Sequence, residues 1–173
     1  MPLSSALSLN VTANQTLATD LGGPIAFPLT KGYSVSLATG TAAGQADLLY
    51  QDTNTLTASA TLDVDLAGVL TTPVGGGVVT FARIKALVVA AAALNTNNVV
   101  VGGAAATQFI GPFGAATHTI AVRPGEFKVL IACGAADAVG YPVVAGTSDF
   151  LRIANGAAGT SVTYDLIVIG CSA

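Results

Sequence analysis

Leu56-Thr57-Ala58-Ser59-Ala60-Thr61-Leu62-Asp63-Val64-Asp65-Leu66 puts an apolar residue at every even position and a hydroxyl or carboxylate at every odd one, Ser59 included. A period of two fits a pleated strand, whose successive side chains point to opposite faces, and does not fit a helix. The polar set is mainly hydroxyl. That suits a strand with one face on a core and the other on solvent or on a polar subunit contact.

The same period recurs outward from this stretch. Thr71–Gly77 carries Pro73 and three consecutive glycines and reverses the chain. Val78–Val89 follows as a second strand, with Phe81, Arg83, Lys85, Leu87 and Val89 on one face and Ala82, Ile84, Ala86 and Val88 on the other. If these two strands pair antiparallel, Arg83 and Lys85 face Asp63 and Asp65, each cross-strand pair contributing about 0.2–1 kcal/mol. Ala90–Ala93 favours helix, but the flanking valines and the Asn95–Asn98 turn favour a strand entering a tight loop. Pro124-Gly125 suits a type II turn and joins His118–Arg123 to Phe127–Ala132 as the clearest hairpin. Asn155–Gly159 joins Asp149–Ile153 to Val162–Ile169 as a looser one.

The first residues are less regular. Leu7, Leu9 and Val11 alternate, whereas Pro24 and Pro28 flank Ile25-Ala26-Phe27 and exclude it from a central strand. Residues 1–45 therefore read as a strand, an irregular arm and loops, and residues 46–173 as a β-sandwich domain. The sum is an all-β, antiparallel sandwich of eight or so strands, for which a jelly roll is one available topology.

Charge is scarce: 9% of the chain is Asp, Glu, Lys or Arg, against roughly 25% in an ordinary globular domain. A surface facing identical neighbours can be built of Ala, Thr, Ser, Val and Asn, whereas a free monomer needs charge to stay apart from its copies. This points to self-assembly. The net charge of −3 and six scattered basic residues give no nucleic-acid footprint. The longest apolar run, Ala86–Leu94, is nine residues, short of the roughly 20 that a spanning helix needs, and no membrane partner is expected. The first residues show no charged-then-apolar leader pattern and are expected to be mature sequence.

Chemistry is hard to find. His118, the single histidine, sits on a strand face beside threonines and suits a structural role. Cys133 and Cys171 fit small buried residues, a single bridge between them being the lesser reading. Asp63 and Asp65 could join Asp47 or Asp52 at calcium, but no twelve-residue calcium loop is present. Glu126 lies at a turn rather than opposite a second catalytic carboxylate. Gly40–Gly44 lacks the lysine of a phosphate loop, and Gly75–Gly77 leads into a strand. Phe109 and Phe113 suit core or loop anchoring. No catalytic, cofactor-binding or metal residue is assigned, no cofactor is expected, and an enzyme is disfavoured.

Asn95-Thr96-Asn97-Asn98-Val99-Val100-Val101-Gly102-Gly103-Ala104, Val144–Asn155 and Ala158–Asp165 resemble segments of small tailed-bacteriophage virion structural proteins. The likeness covers roughly residues 40–173 and leaves the first forty outside. It implies a virion component assembled in the host cytoplasm. The leading form is a capsid decoration or cement protein, a homotrimer bound to the major capsid protein. The alternative is a tail, baseplate or fibre component contributing to receptor binding. No functional residue carries over. Deleting residues 1–30 is expected to abolish particle binding and leave the sandwich folded.

Overall fold

A computed structural model describes residues 2–20, 22–71, 77–104, 106–132 and 140–173. Fourteen strands and no helix occur among them. In chain order these are β1 Ser5–Leu17, β2 Ile25–Thr39, β3 Gln45–Ala46, β4 Leu48–Leu56, β5 Thr61–Asp65, β6 Leu70–Thr71 and β7 Val78–Val79. There follow β8 Arg83–Ala91, β9 Val99–Gly102, β10 Thr119–Val122, β11 Phe127–Ile131, β12 Tyr141–Pro142, β13 Phe150–Asn155 and β14 Val162–Cys171.

Two four-stranded layers make the body, one in the order β11-β8-β14-β4 and the other β10-β9-β13-β5, with β12 added beside β8. The pairs β4–β14, β5–β13, β8–β11 and β9–β10 are all antiparallel. First strand pairs with last, second with second-last, and so on inward. This is one long double ribbon rolled into a sandwich, which is the jelly-roll winding of two Greek keys. The all-β sandwich expected from the alternation is therefore present, and the jelly roll is its topology.

The core lies between the layers. Val162, Tyr164, Leu166 and Val168 of β14, with Leu87 and Val89 of β8, meet Val64, Val99, Val101, Leu151 and Ile153 from the other layer. Each fully buried aliphatic chain of this size contributes about 1.5–3 kcal/mol, so alternation in sequence becomes the force that closes the two layers.

The expected pairings within this frame need correction. The stretch 56–66 is not one strand: β4 ends at Leu56, Thr57–Ala60 turns with Ala60 N–H donating to the Thr57 carbonyl at 3.1 Å, and β5 begins in the other layer. The turn keeps the inside–outside parity, so the period of two runs through a break. Asp63 faces Arg152 of β13, not Arg83. Neither proposed hairpin pairs with itself. The Arg123–Glu126 turn forms, with Glu126 N–H donating to the Arg123 carbonyl at 2.9 Å, but β10 and β11 then enter different layers. β13 and β14 likewise lie in opposite layers. Strict alternation also fails in β8. A bulge opposite Ile169 and Gly170 turns Ile84 inward and buries Lys85.

The N-terminal region is more regular than its prolines suggested. β1 and β2 pair antiparallel along their whole length, from Ser5↔Leu37 to Leu17↔Ile25, and form a long ribbon. Pro28 sits opposite Asn14 in a ribbon with no further strand outside it at that point, where a missing N–H is harmless. Only the end of β2 continues, pairing parallel with β3 at Ala38↔Gln45.

Candidate functional site

The residues with chemical potential are dispersed. Asp63 takes both arms of the Arg152 guanidinium, at 2.7 Å each, and this pair holds the Arg152 charge more firmly than usual. Asp65 accepts from Ala67 N–H at 3.1 Å, and Asp47 accepts from Ser172 N–H at 2.9 Å. Asp52 accepts from Tyr50 and Asn54. The calcium set considered from sequence is thus spread over separate places. Among the described residues no group of three or more His, Cys, Asp or Glu could hold a metal ion.

His118 Nδ1 lies 2.7 Å from the Phe113 carbonyl and ties down the loop before β10. Cys171 is a buried free thiol, its pKa raised chiefly by burial, with the nearby Lys85 charge working against that shift. Cys133 lies outside the described residues, as do Gly75 and Gly76. Glu126 is held below the ordinary carboxylate range, first by its hydrogen bond with Lys128 at 3.1 Å. Phe109 and Phe113 are buried, and Phe109 meets Tyr141 edge-on at 6.4 Å between ring centres. They anchor loops, as expected.

One polar cluster faces inward at the β4 edge. Burial, with Asp52 adding to it, pushes the Tyr50 phenol up to about 12. Tyr164 beside it is raised for the same first reason, and its buried hydroxyl has no hydrogen-bond partner among the described residues.

The feature that stands apart from the compact body is the ribbon. Residues paired across an antiparallel ladder share a face, so the register sorts its side chains without ambiguity. One face carries Leu7, Leu9, Val11, Ala13 and Leu17 with Ile25, Phe27, Leu29, Tyr33, Val35 and Leu37, interrupted by Ser5, Gln15 and Lys31. The other carries Ser8, Asn10, Thr12, Asn14 and Thr16 with Thr30, Gly32, Ser34 and Ser36, and the small or apolar Ala6, Ala26 and Pro28. Lys31, over the Tyr33 ring at 5.8 Å, is the one charged residue of either strand. At the root, Leu7, Val35 and Leu37 seat on Leu49, Ala86, Ile167 and Ile169, the outward face of the β11-β8-β14-β4 layer. Beyond the root, from Leu9 outward, both faces are exposed, with Phe27 at 57% and Tyr33 at 59%.

That outward layer stays apolar past the root. Val129 and Ile131 lie in register with Val88 and Ala86, and Phe127 with Ala90. All three β11 residues are exposed. Across the same sheet, between β14 and β4, a shallow hollow of about 380 Å³ opens between Gln51, Thr53, Asp165 and Ile167. Asp165 accepts a hydrogen bond from Thr53 Oγ1 at 2.6 Å and is exposed.

The sequence reading placed an arm here but missed the ribbon face. Its signal was present: Ile25, Phe27, Leu29, Tyr33, Val35 and Leu37 recur at every second position, broken only by Lys31, behind a Gly22-Gly23-Pro24 turn. Comparison of the chain with protein-family models, curated proteins and solved structures returns no match.

Proposed function

We propose that this chain is a bacteriophage virion structural protein, a decoration protein that self-associates as a trimer and binds the assembled head. The role is structural rather than enzymatic, and its place is the virion. The observation that carries the reading is the ribbon, a long two-stranded arm with one apolar face extended away from a closed sandwich. A two-stranded ribbon alone in water is marginal, so an arm of this length is a binding element that is completed by what it touches. The scarcity of charge supports the same reading, because surfaces that meet copies or a shell are relieved of keeping molecules apart. The jelly roll adds support by analogy, since capsid proteins use it, as do lectins and cupins. Binding only the assembled shell would stabilise that shell by mass action.

The test is the position of the chain on purified particles, imaged intact. Many copies spread over the shell are expected. A ring at the tail would move the role to a tail or fibre component, and absence from particles would overturn the reading. The ribbon's part is tested by shortening it. Deleting residues 1–30 would remove β1 and strand the rest of β2, so the cut belongs across the Leu9↔Tyr33 pair, with Asn10–Gly32 replaced by an Asn-Gly turn. The shortened chain is expected to fold and to leave the particle unoccupied.

A further inference from the structure

We propose that the apolar face of the ribbon seats on the outward face of β11 and β8 of a second copy of this chain. This deepens the self-association in the reading above and rests on it. Four observations converge on a second copy.

The first is continuity. The root of the ribbon already lies on this layer in its own molecule, with Leu7, Val35 and Leu37 against Ala86, Ile167 and Ile169. The same ribbon face continues outward uncovered, and the same sheet face continues sideways uncovered through Val129, Ile131 and Phe127. Two surfaces that fit where they meet are each left half used. A ribbon rising from its own layer cannot also cover that layer's far side, but a neighbour's ribbon can.

The second is reach. Leu9–Leu17 spans about 30 Å at roughly 3.4 Å per residue, about the width of a small domain. The free part of the ribbon is therefore long enough to cross a neighbouring body.

The third is area. The chain exposes 9206 Å² at 17.0 kDa, about 1,500 Å² above the roughly 7,700 Å² that a compact monomer of that mass exposes. A stable interface takes about 800 Å² from each partner. A copy that gives one ribbon and receives one takes part in two such contacts, and the excess is of that size. Giving and receiving through different surfaces is a heterologous contact, which closes into a ring when the rotation allows.

The fourth is charge. Lys31 is the ribbon's one charge, on its apolar face, and Asp165 is the one carboxylate on the outward rows of β4, β8, β11 and β14, with Arg83 opposite Cys171 at the far end of β8. Thr53 gives Asp165 a hydrogen bond but no counter-charge. The hollow beside Asp165 offers a seat for a lysine stem, which lies along apolar surface while its amine reaches outward.

The test reads the mass of the full-length protein in solution by light scattering across a dilution series, with no particle present. A closed oligomer is expected. The ribbon variant Phe27→Ser/Leu29→Ser and the sheet variant Phe127→Ser/Val129→Thr should each give a folded monomer by circular dichroism. Lys31→Glu and Asp165→Lys should each weaken association about tenfold, and the two together should recover most of it. A wild-type monomer at every concentration would overturn the proposal and leave the capsid shell as the ribbon's cover. An oligomer that survives both apolar double variants would overturn it too. Because no particle enters the measurement, its failure is separate from failure to find the chain on the head.

Discussion

Asp63 and Arg152 form a two-armed ion pair on the outer face of the β5–β13 ladder, with side chains 35% and 21% exposed. Partial exposure screens the pair, and two parallel bonds strengthen it, so about 1 kcal/mol is the expected coupling in a double-mutant cycle by denaturant unfolding. The same cycle on Asp63 and Arg83 should give none, since Arg83 instead donates to the main-chain oxygen of Ala173. Tyr164 makes the opposite case. Its hydroxyl is buried without a partner among the described residues, and an unsatisfied polar group costs the fold its desolvation. Tyr164→Phe is expected to raise the unfolding free energy by about 1 kcal/mol, and a loss of stability would show that the hydroxyl has a partner. Tyr50 and Tyr164 also set an alkaline limit. Both phenols are raised by burial, so both stay neutral in the fold at pH values where the unfolded chain ionises. Their contribution is whole below the ordinary phenol value of 10.0 and drains away as pH rises through about 12 for Tyr50. Denaturant midpoints should fall over that window, and Tyr50→Phe should lessen the fall.

Between residues and fold, the turns and the bulge decide which layer each strand joins. Gly125 holds φ at 75°, and an added Cβ would meet only Ala93 at 3.7 Å. Gly125→Ala should therefore cost about 1 kcal/mol from backbone strain alone. Gly170 differs because its place at the bulge leaves no room: a Cβ there would run into the Arg83 carbonyl and come within 2.7 Å of the Phe81 ring. Gly170→Ala should cost clearly more, by thermal unfolding of both variants side by side. These elements also show what the sequence could carry. The inward set of β14 was legible, and that of β8 past its bulge at Leu87 and Val89, because burial on one face forces alternation. The pairings were not. Pro124-Gly125 turns the chain equally well whether the next strand returns to its neighbour or crosses to the other layer. Across Thr57–Ala60 the parity of the side chains survives the change of layer, so a corner reads as a continuous strand. The β8 bulge was not legible, because a lysine is expected outward and Lys85 is buried only where the extra residue shifts the register. For the ribbon the alternation is there, and Pro24 and Pro28, which exclude a central strand, are compatible with a free two-stranded one.

For the whole molecule, the low charge and the surplus surface belong together. A closed jelly roll has little need for more than its own core, yet this chain extends an apolar ribbon and leaves an apolar sheet face open. If copies complete each other, the folded state is tied to concentration, since only the folded chain offers both surfaces. The thermal midpoint of the full chain should then rise by about 2–4 °C for each tenfold increase in protein concentration. The chain with Asn10–Gly32 replaced by a short turn keeps Leu7, Val35 and Leu37 on their sheet, so its body stays covered at the root. Its midpoint should not move with concentration. Salt separates apolar seating from charge steering. An interface with one lysine and one aspartate among aliphatic and aromatic side chains should weaken little as salt rises, because screening removes only the small charged share. A midpoint that falls steeply with salt would place the association on charged surfaces elsewhere on the body and away from the ribbon.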